Sequence, residues 1–312
     1  MRVCRSASVV VLLALLAVGC GGSKGGGSTS GAAAAADDAQ LIDPGTAPID
    51  PALRPAGGTL PRVRATGPSP SRVTLGQGIR SGLAFDDASG RVLWSRDPQR
   101  VLPIASLTKL MTALLVVENT QPRDIVRLTG APAKTPGSRM GYLKARRSVR
   151  VETLLHGLLM SSGNDAAVAL AIHVAGSQRK FVAMMNERAR EWALPCTHYV
   201  DPYGLAVRNR SCAEDLAQLA EHALAQPRIA RIARLRSAKV RVGRIGLRWL
   251  ATTNPLLRTR YPGTIGLKTG FTDHAGRCLV AAVKRDGRVT VVVVLHAEDP
   301  AGAVKTALAR LT

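Results

Sequence analysis

Pro103-Ile104-Ala105-Ser106-Leu107-Thr108-Lys109 runs straight into the apolar Leu110-Met111-Thr112-Ala113-Leu114-Leu115-Val116-Val117. The apolar positions recur at helical spacing, and Pro103 and Ser106 are residue types that open a helix. Ser106 is therefore expected in the first turn, where unpaired backbone N–H groups can stabilise a developing negative charge. Lys109 lies three residues on, which puts its amine on the same helix face as the hydroxyl. A serine is a poor nucleophile until a neighbour takes its proton, and a desolvated lysine can take it. The same residues also read as a capping serine and a solvated lysine, so their meaning depends on partners elsewhere in the chain.

Two other stretches can supply those partners. Leu158-Leu159-Met160-Ser161-Ser162-Gly163-Asn164-Asp165 sets a hydroxyl, a glycine and an amide at the break between two helical patterns. Loops between rigid elements are where catalytic side chains gather. Gly266-Leu267-Lys268-Thr269-Gly270-Phe271-Thr272 sets a lysine and a hydroxyl on an expected strand, ending at a glycine that lets a ligand backbone approach. Taken singly, Ser-Gly-Asn is an ordinary turn and Lys-Thr-Gly an ordinary strand end. Taken in order behind Ser-x-x-Lys, they form the set shared by serine penicillin-recognising enzymes.

On these three motifs the chain resembles the D-alanyl-D-alanine carboxypeptidases, the low-molecular-mass penicillin-binding proteins. Flanking stretches resemble the family as well: Asp86-Asp87-Ala88-Ser89-Gly90-Arg91-Val92-Leu93, Asp201-Pro202-Tyr203-Gly204-Leu205 and Thr253-Asn254-Pro255-Leu256-Leu257. The resemblance implies that Ser106 attacks the carbonyl between the two terminal D-alanines of a peptidoglycan stem peptide. Lys109 would be the neutral base, with burial and the nearby Lys268 both disfavouring its charged form. Ser162 would relay a proton to the leaving amine, and Asn164 would hydrogen-bond the substrate amide. Lys268 and Thr269, followed by Gly270, would hold the terminal carboxylate. The oxyanion would lie between the backbone N–H groups of Ser106 and Phe271. Penicillins would acylate the same serine, and no metal or cofactor is called for.

The rest of the 312-residue chain bounds the setting. An apolar fraction of 46% can build a core, and with aromatics at 3% that core must be Leu, Val and Ala. The formal net charge of +22 points to anionic partners. Arg2 and Arg5 precede an apolar run that ends in Ala17-Val18-Gly19-Cys20, the pattern of a secretory signal over 1–19. Small residues ahead of Cys20 resemble a bacterial lipobox, which implies lipid on Cys20; the alternative is an ordinary secreted protein cut nearby. Either address puts the chain outside the cytoplasm, in the cell envelope. It argues against nucleic acid and leaves anionic envelope polymers or lipid headgroups as candidate partners of two basic patches, one of Arg139, Lys144, Arg146, Arg147 and Arg150 and one from Arg228 through Arg248.

Residues 20–72, rich in Gly, Ala, Ser and Pro, read as a flexible tether. Of the cysteines beyond it, Cys196 and Cys212 bracket a turn-rich segment that a disulfide would staple, and Cys278 reads as a buried small hydrophobe. No Cys or His pair has metal-ligand spacing. Over 73–312 strand patterns come from both chain ends (81–87, 89–94, 264–269, 277–284, 288–295). Helical patterns fill the middle (151–160, 165–174, 178–192, 212–225) and close the chain (300–311). Asp286-Gly287 is a tight-turn signal between the last two strands. The expected fold is one α+β domain, an antiparallel sheet covered by helices with a mainly helical subdomain, of the β-lactamase/transpeptidase type.

Three other functions share these features. A β-lactamase has the same motifs but needs a carboxylate-activated water, and no Glu-x-x-x-Asn-type loop stands at the expected place. A D,D-endopeptidase or transpeptidase would act on crosslinks. A non-catalytic peptidoglycan-binding lipoprotein would have no need of an intact proton-transfer set.

Overall fold

The computed structural model describes residues 63–64, 69–71, 73–76 and 78–311. The expected signal at 1–19, Cys20 and most of the expected tether lie outside the described residues. The boundary at 72 needs one correction. Val63 is fully buried in the main core, and Ser69 Oγ accepts a hydrogen bond from the Ser95 backbone, so the body begins before Val73.

In chain order, β1 (Ser81–Asp86) and β2 (Val92–Arg96) form the opening hairpin, followed by the short β3 (Leu102–Pro103), a 3₁₀ turn (Ala105–Thr108) and α1 (Lys109–Asn119). Next come β4 (Ile125–Arg127), α2 (Ala131–Lys134), β5 (Ser148–Arg150), α3 (Val151–Leu159), α4 (Asn164–Ala175), α5 (Gln178–Glu191), β6 (Arg210–Ser211), α6 (Ala213–Ala225) and α7 (Pro227–Ala233). The hairpin β7 (Ser237–Arg241) and β8 (Leu247–Ala251) leads to α8 (Pro255–Arg258). The chain closes with β9 (Thr264–Thr272), β10 (Gly276–Arg285), β11 (Arg288–Ala297) and α9 (Pro300–Arg310).

The main sheet is antiparallel with strand order β2-β1-β11-β10-β9. Its two longest strands are runs of Val, Leu and Ala buried on both faces, and the strand period of two sorts them into separate cores. Val280, Ala282, Val291, Val293 and Leu295 join Leu83, Phe85 and the helices α1, α3 and α6. Leu279, Ala281, Val283, Val292 and Val294 join Ala84, Trp94 and α9. Asp286 and Gly287 take φ of 47° and 76°, the left-handed conformation a two-residue hairpin turn demands. The α+β architecture is the one expected.

The helix-opening reading of Ser106 needs refinement. Ser106 lies in the 3₁₀ turn and the α-helix begins at Lys109. In a 3₁₀ turn residues three apart eclipse one another, so the hydroxyl and the amine still share a face. The Cys196–Cys212 disulfide is formed, with Cα atoms 5.5 Å apart, and Cys278 is a buried free thiol. Asp215 lies beside that disulfide, but both thiols of this group are committed to each other. Among the described residues no helix is long and apolar enough to cross a membrane.

Candidate active site

Three segments of the chain far apart in sequence meet at Ser106. The 3₁₀ turn brings Ser106 and Lys109, the α3–α4 loop brings Ser162 and Asn164, and the edge strand β9 brings Lys268, Thr269, Gly270 and Phe271. Two backbones at this junction are held in the left-handed region that L side chains rarely adopt: Ala105 at φ 46° and Ser162 at φ 57°. Such strain persists only where the surroundings over-determine it. At Ala105 the determinant is Gly204, where a Cβ would lie 1.9 Å from the Ala105 carbonyl oxygen. Gly270 does the same for the strand. A Cβ there would stand 2.9 Å from the Ile104 carbonyl and 3.3 Å from the Ser106 nitrogen, so only glycine lets β9 run this close to the nucleophile's turn.

Lys109 is fully buried. Its Nζ lies 2.9 Å from Ser106 Oγ, 2.7 Å from Asn164 Oδ1 and 2.6 Å from the Tyr203 carbonyl oxygen. Burial holds the amine well below its ordinary pKa of 10.5; the Lys268 charge pushes the same way, against Asp201 and Asp165. A neutral amine has two N–H bonds and one lone pair. Asn164 Oδ1 and the Tyr203 carbonyl can only accept, so they consume both N–H bonds. The lone pair is then left to the Ser106 hydroxyl, which alone of the three can donate. This is the arrangement of a general base on a nucleophile.

Lys268 is also buried, and burial lowers its pKa to about 7. Its Nζ donates to Ser162 Oγ and to the Thr269 carbonyl, both at 3.0 Å. Thr269 Oγ1 is 2.7 Å from Thr253 Oγ1, and Phe271 is 62% exposed at the rim. A cleft of about 450 Å³ is lined by Ser106, Ser162, Thr253, Thr269, Gly270 and Phe271, and continues past the strand to Arg277 and Glu298. Ammonium, hydroxyls and an unpaired strand edge together suit a peptide with a free carboxylate, laid alongside β9.

All eight candidate residues therefore converge, but some partners were not foreseen as such. Asn164 has its Oδ1 on Lys109 while its Nδ2 donates to the Pro136 carbonyl at 2.7 Å. Its geometry is that of a holder of Lys109 first, with one Nδ2 proton left over. Asp201 accepts from the backbone N–H groups of Tyr203, Gly204 and Ala206, and so folds the turn that presents the Tyr203 carbonyl to Lys109. Buried Asp165 accepts from Met140 and Gly141, tying the 136–141 loop to the start of α4. The stretch Asp201-Pro202-Tyr203-Gly204 carried the only signal, as an acidic residue two before the presented carbonyl.

Comparison with known proteins gives the family. Residues 77–299 match the D-alanyl-D-alanine carboxypeptidase family. Over 232 residues the chain is 33% identical to the D-alanyl-D-alanine carboxypeptidase DacF of Bacillus subtilis, covering 72% of this chain and 59% of that protein. It thus spans less than two thirds of that relative's length. It is 35% identical over 243 residues to a D-alanyl-D-alanine endopeptidase of Pseudomonas aeruginosa, covering 75% of this chain and 77% of that one. Its fold superposes with a TM-score of 0.72 on the crystal structure of a D-alanyl-D-alanine carboxypeptidase from Mycobacterium tuberculosis, at 31% identity, covering 78% of this chain and 94% of that one. The chain belongs to the D-alanyl-D-alanine carboxypeptidase family.

Proposed function

We propose that the chain is a serine D,D-carboxypeptidase that removes the terminal D-alanine from peptidoglycan stem peptides and is acylated by penicillins. The observation that carries this reading is the 2.9 Å contact between Lys109 Nζ and Ser106 Oγ, with the other valences of the amine already filled. The stem peptide lies along β9, its terminal carboxylate between Lys268 and the hydroxyls of Thr269 and Thr253. Ser106 Oγ bonds to the carbonyl carbon while Lys109 takes its proton, and the carbonyl π pair moves onto oxygen. The oxyanion is held by the backbone N–H groups of Ser106 and Phe271. Collapse expels D-alanine, whose nitrogen is protonated through Ser162 with the proton that Lys109 took from Ser106, so that the amine is neutral again; Ser162 is held by a hydrogen bond from Lys268. Water then attacks the acyl carbon, giving its proton to Lys109, and Ser106 Oγ departs with a proton from that amine.

A second reading, endopeptidase action on crosslinks, is favoured by the Pseudomonas relative's name and by the cleft's continuation towards Arg277 and Glu298, which leaves room beyond a single leaving alanine. As for address, the sequence supports lipid attachment at Cys20 after removal of a signal peptide, and work at the outer face of the membrane.

The test is to incubate the protein with a fluorescent penicillin, with a pentapeptide ending in D-Ala-D-Ala, and with crosslinked muropeptide dimers. Stable labelling and free D-alanine, both lost in Ser106→Ala, support the main reading. Cleavage of dimers alone supports the second. Rapid turnover of the drug marks a β-lactamase, and no label with no product marks a non-catalytic binder; either result overturns the proposal.

A further inference from the structure

Neither 125–151 nor 222–272 contains a carboxylate. The fold brings parts of them together. β4 and β5 pair antiparallel, and the tip of the β7–β8 hairpin sits so close to β5 that a Cβ on Gly243 would lie 2.4 Å from the Ser148 carbonyl oxygen. Thr153 Oγ1 donates to the Arg241 carbonyl at 3.0 Å, and the Arg248 guanidinium lies 4.2 Å from the centre of the Tyr142 ring. Segments about a hundred residues apart thus make one continuous surface.

On that surface Lys144, Arg146, Arg147, Arg150, Arg241 and Arg244 are exposed. The ion pairs of the described residues involve other cations. Among these charges stand large apolar groups facing water: Ile125 at 52%, Tyr142 at 53% and Trp249 at 58% exposure. Trp249 lies opposite Lys239 in the hairpin, with the ammonium 5.9 Å from its ring. A soluble polyanion asks only for charge. Exposed Trp and Tyr interleaved with Arg and Lys have the composition of a membrane interface, where rings sit at headgroup level and cations meet anionic lipid. The surface also flanks the catalytic cleft. Ser138 and Thr253, both lining the cleft, lie six residues before Lys144 and two residues after β8.

We propose that this cationic, aromatic face docks onto an anionic phospholipid membrane and holds the mouth of the cleft at the membrane surface. Binding here is separate from any acyl anchor and from the catalytic reading.

The test uses the chain from Cys20 onward with Cys20→Ala, so that no acyl group is attached. It is sedimented with vesicles of phosphatidylcholine alone and of phosphatidylcholine with phosphatidylglycerol, at about 0.1 M and about 1 M salt. The expected result is partitioning at least tenfold stronger onto the anionic vesicles, abolished at high salt. Each of Arg146→Gln, Arg147→Gln and Arg244→Gln should weaken it by about fivefold. Tyr142→Ser with Trp249→Ser should weaken it further, and D-alanine release from a soluble pentapeptide should be unchanged in every variant. Equal binding to both vesicle types overturns the proposal. So does binding to a soluble poly(glycerol phosphate) that matches vesicle binding and ignores Tyr142→Ser with Trp249→Ser, which would mark a site for wall polymer.

Discussion

Two of the places where the described residues bury ionisable side chains follow opposite rules. Beneath α3 and α7, Glu152 is 1% exposed and receives Arg228 (3.1 and 3.2 Å) and Arg231, so a buried carboxylate is compensated by two guanidinium groups. In the cleft, Lys109 and Lys268 are equally buried, yet the atoms within hydrogen-bond distance of their amines are hydroxyls, amide oxygens and carbonyls. The first cluster is a paired network that serves stability. The second makes charge unfavourable and holds the Lys109 amine well below its ordinary pKa, the direction a base at neutral pH requires.

Replacing one member of each cluster separates the two rules. Lys109→Met should lower the rate of Ser106 acylation by a penicillin about 10²–10⁴-fold, the usual worth of a general base, as followed by fluorescent labelling. Its melting temperature should stay within about 4 °C of wild type, because relief of the buried amine offsets the hydrogen bonds lost. Glu152→Gln should do the reverse. Removing one partner of a buried ion pair costs about 3–5 kcal/mol, a fall in melting temperature of roughly 6–20 °C, while acylation of the folded fraction at low temperature is unchanged. A large stability loss in Lys109→Met, or none in Glu152→Gln, would erase the contrast.

A smaller effect sharpens it from the side. Asp201 raises the Lys109 pKa through its charge and also folds the turn that presents the Tyr203 carbonyl. Asp201→Asn should cost about tenfold in acylation, equivalent to about 1.4 kcal/mol. Because it removes a negative charge, the acidic limb of the pH–rate profile should move to lower pH. A purely structural role would lower the rate without moving the limb.

Stability should also follow pH. Lys268 titrates at about 7 in the folded protein and near its ordinary 10.5 when unfolded. Between those values the unfolded chain binds the extra proton, so stability rises with pH across that window. Below about 7 both states are protonated and the burial penalty is felt in full. Lys268→Met should therefore stabilise the protein most at or below neutral pH, with the advantage shrinking as pH approaches 10.

Much of this was legible in the sequence, for identifiable reasons. The two short Val- and Ala-rich apolar runs in 277–295 and the Asp286-Gly287 turn between them specify the central hairpin without help from tertiary context. The Ser106, Ser162 and Lys268 segments were found because side-chain chemistry at fixed local spacing survives in a linear chain. What escaped depends on contacts between distant backbones. The second acceptor on Lys109 is a carbonyl, which every residue has, so nothing marks Tyr203 except the Asp201 turn. Thr253 reached the cleft through the β7–β8 hairpin, whose second strand, Leu247–Ala251, is too short and mixed to announce itself. That Val63 belongs to the core was not legible because a single valine in a stretch rich in Pro, Gly and Arg looks like tether.

The central claim is that Lys109 is a neutral base because it is buried beside a second lysine. The most direct measurement is the pH dependence of the acylation rate of Ser106 by a penicillin, in wild type and in Lys268→Met. The account predicts a wild-type rate already on its plateau at neutral pH, with the acidic limb moved to higher pH in Lys268→Met as the neighbouring charge is lost. A wild-type rate still climbing tenfold per pH unit up to the ordinary lysine value of 10.5, indifferent to Lys268, would contradict it.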